Sequence, residues 1–475
     1  MDTPNPESNA SRHLVIVGGG SAAFAAALKA SESDAQVTLI NAGLPMGGTC
    51  VNVGCVPSKT LLRAAESVHR AQHPGFAGIE SSARVADFGA VARQKAEMVE
   101  ELRQAKYMDV ISAHENVRMV EGRARFVAPL AVEVGGETIR GSHYLVATGA
   151  RPFVPEIEGL QSAGYLTNES AFELKEVPRS MIVLGGRYIA LELAQMFARF
   201  GTRVTVLQRS DRILPGESED LTSELTGFLE GEGLRIITGC RLERVERAGD
   251  DVVVHATVDG ALKEYRAEHV LAATGRTANT AQLGLERVGV QLNADGTIVV
   301  DESLRTSEAS VWAAGDVIGD PSFVYTAAYE GALAAENAMT GGARERDYGA
   351  LPWVIFTDPQ VAGVGLDERE ALARGFDAEV ALLPLSHVPR SIAARDTRGF
   401  VKLIRDRSTD QLLGARVLAP EGSELLMELS LAIRHRIPVA ELAAAFHPYL
   451  TLSESVKLAA ITFGKDVASL SCCAT

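Results

Sequence analysis

Two stretches of this chain repeat one text: a short apolar run, a knot of glycines, a helix-forming segment and a second apolar run. The first reads Leu14-Val15-Ile16-Val17, Gly18-Gly19-Gly20, the alanine-rich Ser21 to Ala30, then Gln36-Val37-Thr38-Leu39-Ile40. The second reads Met181-Ile182-Val183-Leu184, Gly185-Gly186, a helical stretch through Phe200, then Arg203-Val204-Thr205-Val206-Leu207. Continuous apolar runs of four or five residues bounded by turn residues read as strands buried on both faces. Strand, helix and strand in succession make a crossover between parallel strands. The chain is therefore predicted to be α/β, with two mononucleotide-type units. At 475 residues it exceeds a single core, and after Asp347 the text changes to mixed strand and helix, read as a third unit. Residues 89 to 114 carry a helical pattern, Leu145 to Gly149 read as a further strand and turn, and residues 1 to 11 as a loose tail.

Charge and composition narrow the function. Acidic residues outnumber Lys and Arg by 61 to 46, a formal charge of -15 that repels phosphate backbones, so no nucleic-acid partner is expected. No apolar run approaches the roughly 20 residues that span a bilayer, and the first residues lack the basic and apolar regions of a signal peptide. A cytoplasmic protein without membrane insertion is expected. Five cysteines, Cys50, Cys55, Cys240, Cys472 and Cys473, are too few for a disulfide framework in so long a chain. In a reducing compartment, close pairs of them are suited to chemistry.

The glycine knots carry the next step. Gly18, Gly20 and Ala23 match the fingerprint in which a tight turn brings backbone against a pyrophosphate at a helix N-terminus. Asn41 ends the second strand where an acid ordinarily takes the ribose hydroxyls, and it can hydrogen-bond without the charge. In the second unit Gly185 and Ala190 keep the pattern while Arg187 replaces the middle glycine, which reads as a damaged fingerprint. Its second strand ends in Leu207-Gln208-Arg209-Ser210-Asp211-Arg212, with no carboxylate where NAD-specific sites place one and two arginines close by. Arginine forks suit a 2′-phosphate, so NADPH is expected over NADH. The alternative is that Arg209 and Arg212 are solvated surface charges.

The segment Gly47-Gly48-Thr49-Cys50-Val51-Asn52-Val53-Gly54-Cys55-Val56-Pro57-Ser58-Lys59 resembles the redox-disulfide motif of the glutathione reductase and dihydrolipoamide dehydrogenase superfamily. The likeness extends to the first glycine knot, Ala147-Thr148-Gly149, Ala273-Thr274-Gly275-Arg276 and Ala313-Ala314-Gly315-Asp316. It implies two Rossmann-like nucleotide-binding domains, for FAD and NADPH, and a C-terminal α+β dimerisation domain. The implied division is 1–150 and a return segment 281–346 for FAD, 151–280 for NADPH, and 347–475 for the dimer. It places Gly48, Thr49, Lys59, Thr148, Gly149 and Asp316 at the flavin nucleotide, with Gly275 also a cofactor-binding position. It further implies that Cys55 faces the flavin, Cys50 exchanges with substrate, Lys59 pairs with Glu192, and Tyr188 lies over the nicotinamide pocket. A thiolate beside Lys59 and a helix N-terminus would have a lowered pKa. The other readings of the pair are a structural zinc site, for which no second compact pair lies nearby, or two buried thiols. Cys240 reads as a buried apolar residue.

Substrate choice turns on the C-terminus. Disulfide-reducing members carry a catalytic His in a His-Pro-Thr-Leu-Ser-Glu segment. Here Phe446-His447-Pro448-Tyr449-Leu450-Thr451-Leu452-Ser453-Glu454 puts Tyr449 in that position and His447 two residues earlier. A phenol is a poor proton shuttle for thiols at neutral pH. The change resembles mercuric ion reductases, which also end in vicinal cysteines, here Cys472 and Cys473, and whose other active-site tyrosine matches Tyr107. Soft Hg(II) prefers thiolates, so the resemblance implies metal passed from Cys472 and Cys473 to Cys50 and Cys55, with the tail and Tyr449 supplied by the partner subunit of a homodimer. Two alternatives stay open at this point. One is a lipoamide-type disulfide reductase, which His447 supports; the other is a flavin-containing metal buffer or redox sensor without turnover.

Overall fold

Leu14 to Val17 are almost wholly buried, so the first apolar run forms a strand covered on both faces, His13–Val17. In the computed structural model, which describes residues 12–467, this strand is central in a five-stranded sheet. The spatial order is Val311–Ala313, His143–Val146, His13–Val17, Gln36–Asn41, Val117–Glu121, all parallel. The crossover helix Ser21–Ser31 buries Ala22, Ala23, Ala26, Ala27 and Ala30. These small side chains let the helix Val324–Thr340 approach closely. At Gly331 an added Cβ would stand 2.0 Å from the carbonyl oxygen of Ala22, so only glycine fits.

The second unit follows the same plan. Its parallel sheet runs Arg235–Ile237, Arg203–Leu207, Ser180–Leu184, His269–Ala272, again with the first strand inside and the second beside it. In both units a three-stranded antiparallel meander, instead of a helix, leads into the strand that pairs with the first one. The meanders are Ala124–Ala128, Ala131–Val134 and Glu137–Arg140 in the first, and Arg241–Ala248, Asp251–Val258 and Ala261–Ala267 in the second. A short antiparallel pair, Ala150–Pro152 with Arg276–Ala278, joins the two units. The fold is α/β with two Rossmann-like units, as the repeated text predicts.

The third unit is a five-stranded antiparallel sheet in the order Trp353–Ile355, Gln360–Gly365, Leu412–Ala419, Phe400–Asp406, Ala378–Pro384. The helices Leu426–Arg434 and Glu454–Ile461 bury Leu426, Leu429, Val456 and Leu458 against it. One core unites all three units: Leu61 and Ala65 pack with Leu191 and Ala194 and with Ile355, Phe400 and Leu418.

The helical pattern at 89 to 114 resolves into Phe88–Arg103, a π-helical turn Gln104–Met108, and Asp109–Ser112. Asp87 caps the start, accepting from the Ala90 N–H at 3.0 Å. The wider turn aims Tyr107 at Phe24, with ring centroids 4.9 Å apart. Among the described residues no helix is long and apolar enough to cross a membrane.

Candidate active site

Gly54 breaks the helix Gly48–Val53 from the helix Cys55–Gln72. A Cβ there would stand 2.9 Å from the Thr49 carbonyl oxygen, so a glycine is needed for the chain to fold back on itself. The fold-back brings Cys50 and Cys55 within hydrogen-bonding reach, both as free, partly buried thiols. Asn52 stitches the loop, donating to the carbonyls of Gly48 at 2.8 Å and Pro45 at 3.0 Å. The Cys55 thiol is lowered to about 7: the hydrogen bond from Cys50 stabilises its thiolate and Lys59 adds to it, against the effect of burial. Cys50 moves the other way, pushed up by donating that bond and by burial. Cys55 also opens its helix, where unpaired N–H groups favour negative charge.

Lys59, one turn along the helix, reaches Glu192 at 2.7 Å. The other Glu192 oxygen accepts from the Phe356 N–H at 2.9 Å, and the Lys59 ammonium lies 4.6 Å from the Phe356 ring centroid. Glu192 is only 6% exposed, so its charge is held by these two partners. The expected pair Lys59 and Glu192 therefore forms, and it joins the dithiol helix to both other units.

Around the first glycine knot the backbone leaves room for a phosphate and little else. A Cβ on Gly18 would meet the Ala147 carbonyl oxygen at 2.1 Å, and one on Gly48 would meet the Gly20 Cα at 2.7 Å. The helix Ser21–Ser31 has no side-chain cap, which leaves its first N–H groups for an anion. Asn41 lies over this turn: its Oδ1 is 2.2 Å from where a Gly19 Cβ would be, while its Nδ2 donates to the Leu44 carbonyl at 3.0 Å. Thr148 and Asn279 exchange two side-chain-to-backbone bonds, at 2.9 and 3.0 Å, beside Gly149. Thr49 sits in the first turn of the helix that carries Cys50.

Asp316 stands 3.3 Å from Arg276 Nε, which is buried and has no hydrogen-bond partner of its own in the protein. The preceding Gly315 N–H donates to Glu330 at 2.6 Å, and the other Glu330 oxygen accepts from the Tyr348 hydroxyl at 2.5 Å. Glu330 and Tyr348 had no signal in the sequence, because each is an ordinary residue until the fold brings it to Gly315. The open helix terminus and the glycine cradle fit the flavin nucleotide expected here.

The second knot repeats this geometry. A Cβ on Gly185 would meet the Ala273 carbonyl oxygen at 2.4 Å, and one on Gly186 would stand 3.1 Å from Gln208, the counterpart of Asn41. Arg187 stands where Gly20 stands in the first knot. Its backbone at φ -105°, ψ -168° matches Gly20 at φ -86°, ψ -170°, extended geometry open to any residue. Gly275, at φ 139°, accepts from the Phe153 N–H through its carbonyl. Of the two arginines, Arg209 is exposed. Arg212 is partly exposed, its Nη2 donating to the carbonyls of Pro215 and Glu217 at 3.3 Å each. Tyr188 opens the helix Tyr188–Phe200, and its ring stacks between Trp353 and Phe323, with centroids 6.1 and 6.5 Å away.

The tyrosines fall in different places. Tyr107 is brought to the dithiol loop, its ring atoms 3.3 Å from where a Gly47 Cβ would be. Its hydroxyl pKa is raised by burial, a hydrogen bond with Ser21 opposes the rise, and the two cysteines add to it. Tyr449 lies 55% exposed on the loop after the helix Val439–Ala444, beside the fully exposed Phe446. His447 points back into its own unit, with Nε2 2.8 Å from Glu428 and Nδ1 3.3 Å from the Ala445 carbonyl. Cys240 is buried, its Sγ 3.1 Å from the Gln208 carbonyl. Cys472 and Cys473 lie outside the described residues. Among the described residues no group of three or more His, Cys, Asp or Glu could hold a metal ion.

Two family models match, one described as pyridine nucleotide-disulphide oxidoreductase over residues 12–331 and one as its dimerisation domain over residues 351–460. The chain is 42% identical over 461 residues to a mercuric reductase of Staphylococcus aureus, covering 97% of this chain and 84% of that one. It is 44% identical over 467 residues to a mercuric reductase of Streptomyces lividans, covering 97% and 98%. Among solved structures, the Cu(II) complex of the HOCl-induced flavoprotein disulfide reductase RclA from Escherichia coli superposes with a TM-score of 0.86 at 30% identity, covering 96% of this chain and all of that one. Identity of this order along nearly the whole chain, with a dithiol, a glycine cradle and a Lys-Glu pair in place, makes this protein an FAD-dependent oxidoreductase that belongs to the pyridine nucleotide-disulphide oxidoreductase family, alongside the mercuric reductases.

Proposed function

We propose that the enzyme reduces Hg(II) with NADPH, giving NADP+, H+ and Hg(0). The observation that carries this reading is the state of the C-terminal loop. Tyr449 occupies the place of the exchanging histidine, and the only nearby imidazole, His447, is tied to Glu428. A dithiol without an imidazole is poorly equipped to reduce disulfides and well equipped to bind a soft cation. The relatives named mercuric reductase support the same substrate.

Bound FAD supplies two-electron transfer between the nicotinamide and the dithiol site. The chain's own residues do the rest. Cys55 offers a thiolate near neutral pH and Cys50 a thiol that releases its proton as metal binds. Lys59 and Glu192 keep a fixed charge pair beside them, and Tyr107 closes the loop's other side. Arg209 is assigned to the 2′-phosphate and Tyr188 to the nicotinamide pocket. The tail pair Cys472 and Cys473 captures mercury and hands it inward by thiolate exchange, with Tyr449 and the tail reaching the partner subunit's site in a cytoplasmic homodimer. Residues 1–150 with 281–346, 151–280 and 347–475 are the corresponding domains.

Turnover of NADPH with Hg(II), with lipoamide and without acceptor, followed by release of volatile mercury, tests the reading. Turnover with lipoamide but not mercury would overturn it. Replacing Cys472 and Cys473 by Ala should collapse reduction of mercury held by excess thiol while flavin reduction by NADPH is unchanged. Arg209→Ala should cut the kcat/KM preference for NADPH about tenfold or more, since a charge-assisted phosphate contact contributes about 1.5–3 kcal/mol.

A further inference from the structure

One rung of the third unit's sheet carries an unusual set of side chains. Across it, Trp353 pairs with Gly363, Gly363 with Arg416, and Arg416 with Lys402. Arg416 and Lys402 are both almost wholly buried, and sheet interiors do not hold cations without a partner. Each finds a partner in the second unit, and Lys402 also reaches Glu368 of its own unit at 3.4 Å. Arg416 Nε donates to Glu217 at 2.8 Å, and Lys402 reaches Asp220 at 2.5 Å and Ser218 at 3.2 Å. The gap at Gly363 has its own use. A Cβ there would be 2.5 Å from the Trp353 ring, so the missing side chain lets that ring fold across the strand. The Arg416 guanidinium then lies 5.4 Å from the Trp353 ring centroid.

The two ends of this arrangement matter for one ligand. Trp353 stacks on Tyr188 at 6° between ring planes. Glu217 closes the loop that begins at Arg209: its carbonyl accepts from Arg212, and Leu214 within the loop donates to Gly186 of the glycine turn at 2.9 Å. A single side chain thus touches both the loop that carries Arg209 and the ring that supports Tyr188.

We infer that Arg416 is a positioning residue that couples recognition of the dinucleotide's 2′-phosphate to the set of the Tyr188 and Trp353 rings, so that the phosphate improves hydride transfer as well as binding. This rests on the reading that Arg209 takes that phosphate and Tyr188 meets the nicotinamide. The contact chain is short and rigid: phosphate loop, Glu217, Arg416, Trp353, Tyr188. A buried ion pair that only docked two units would not distinguish NADPH from NADH.

The test uses the FAD-loaded enzyme and 2′,5′-ADP, which has the phosphate and no nicotinamide. Its binding should change the tryptophan emission of the wild type, a change assigned to Trp353 by its absence in Trp353→Phe. In Arg416→Met, calorimetry should show 2′,5′-ADP still binding within about threefold while the emission change disappears. Anaerobic flavin reduction by saturating NADPH should slow about tenfold in that variant, and reduction by NADH less than about twofold. Equal slowing with both dinucleotides, or an emission change that survives in Arg416→Met, would overturn the coupling. Binding to the wild type without any emission change sinks this inference alone, whereas no binding at all sinks the 2′-phosphate reading and takes this one with it. Should Arg416→Met not fold, Glu217→Gln keeps the packing and an amide oxygen for Arg416 Nε, and carries the same comparison with a partial loss.

Discussion

Cys55 is acidic because of where it stands: first in its helix, accepting from Cys50, four residues from Lys59. The pair titrates as one unit, so the readable quantity is the first thiolate to form. In the reduced enzyme, thiolate absorbance should rise with a midpoint near pH 7, the value to which Cys55 is lowered. Lys59→Met should move that midpoint up, since a favourable charge is lost, and Glu192→Gln should move it down, since Glu192 opposes the thiolate. A midpoint unmoved by either change would refute the assignment. The sign for stability follows from the depressed pKa. The contribution is complete above the thiol's ordinary 9.0 and is lost as pH falls through about 7. Under reducing conditions the gap in denaturation midpoint between wild type and Cys55→Ser should therefore narrow on acidification across that window. At this scale the dithiol segment was legible because its chemistry is local, from Gly47 to Lys59. The bonds from Arg212 to carbonyls of its own loop are set by a backbone path that residue type does not reveal.

The helix Val324–Thr340 shows what one missing Cβ does for an element. Gly331→Ala would force the helix off Ser21–Ser31, and overpacking of this kind costs about 3 kcal/mol. The expected result is a lowered melting temperature together with flavin loss, because the displaced helix also carries Glu330 beneath Gly315. Tyr348→Phe is a finer probe of the same region. It removes one donor from a buried carboxylate, at about 1–3 kcal/mol, and should weaken flavin retention on dilution more than it alters turnover of the loaded enzyme. Retention equal to wild type would show that Gly315 is held without Tyr348. The strands and crossover helices of both units could be read from periodicity, since each buries a continuous run. The meanders could not: Arg241–Ala248 and Ala261–Ala267 are rich in charge, and only pairing with Asp251–Val258 makes them strands. The π-turn at Gln104–Met108 was equally hidden, because its composition is that of the α-helix around it.

The third unit leaves apolar surface uncovered on one helix and the loop that follows it. Met427 and Leu431, a turn apart on Leu426–Arg434, are 57% and 47% exposed, with Phe446 and Leu450 on the loop beyond. Met427→Lys with Leu431→Lys should give a monomer by light scattering that keeps its flavin and loses mercury turnover. A dimer that persists would move the interface elsewhere. Farther inside, Arg199 and Arg398 share Asp358 at 2.9 and 3.0 Å, binding the second unit to the third. None of this wiring was visible beforehand, since the partners lie far apart in the chain. The two nucleotide units carry a different kind of information. Gly18 faces Ala147 as Gly185 faces Ala273, Gly20 corresponds to Arg187 and Asn41 to Gln208, and each meander leads into the strand beside the first. One backbone plan thus serves twice in the chain, with different residues at the turns that face the ligands. Gly18→Ala and Gly185→Ala are thus one substitution made at two equivalent turns, and the ligand each variant loses tells what its turn holds.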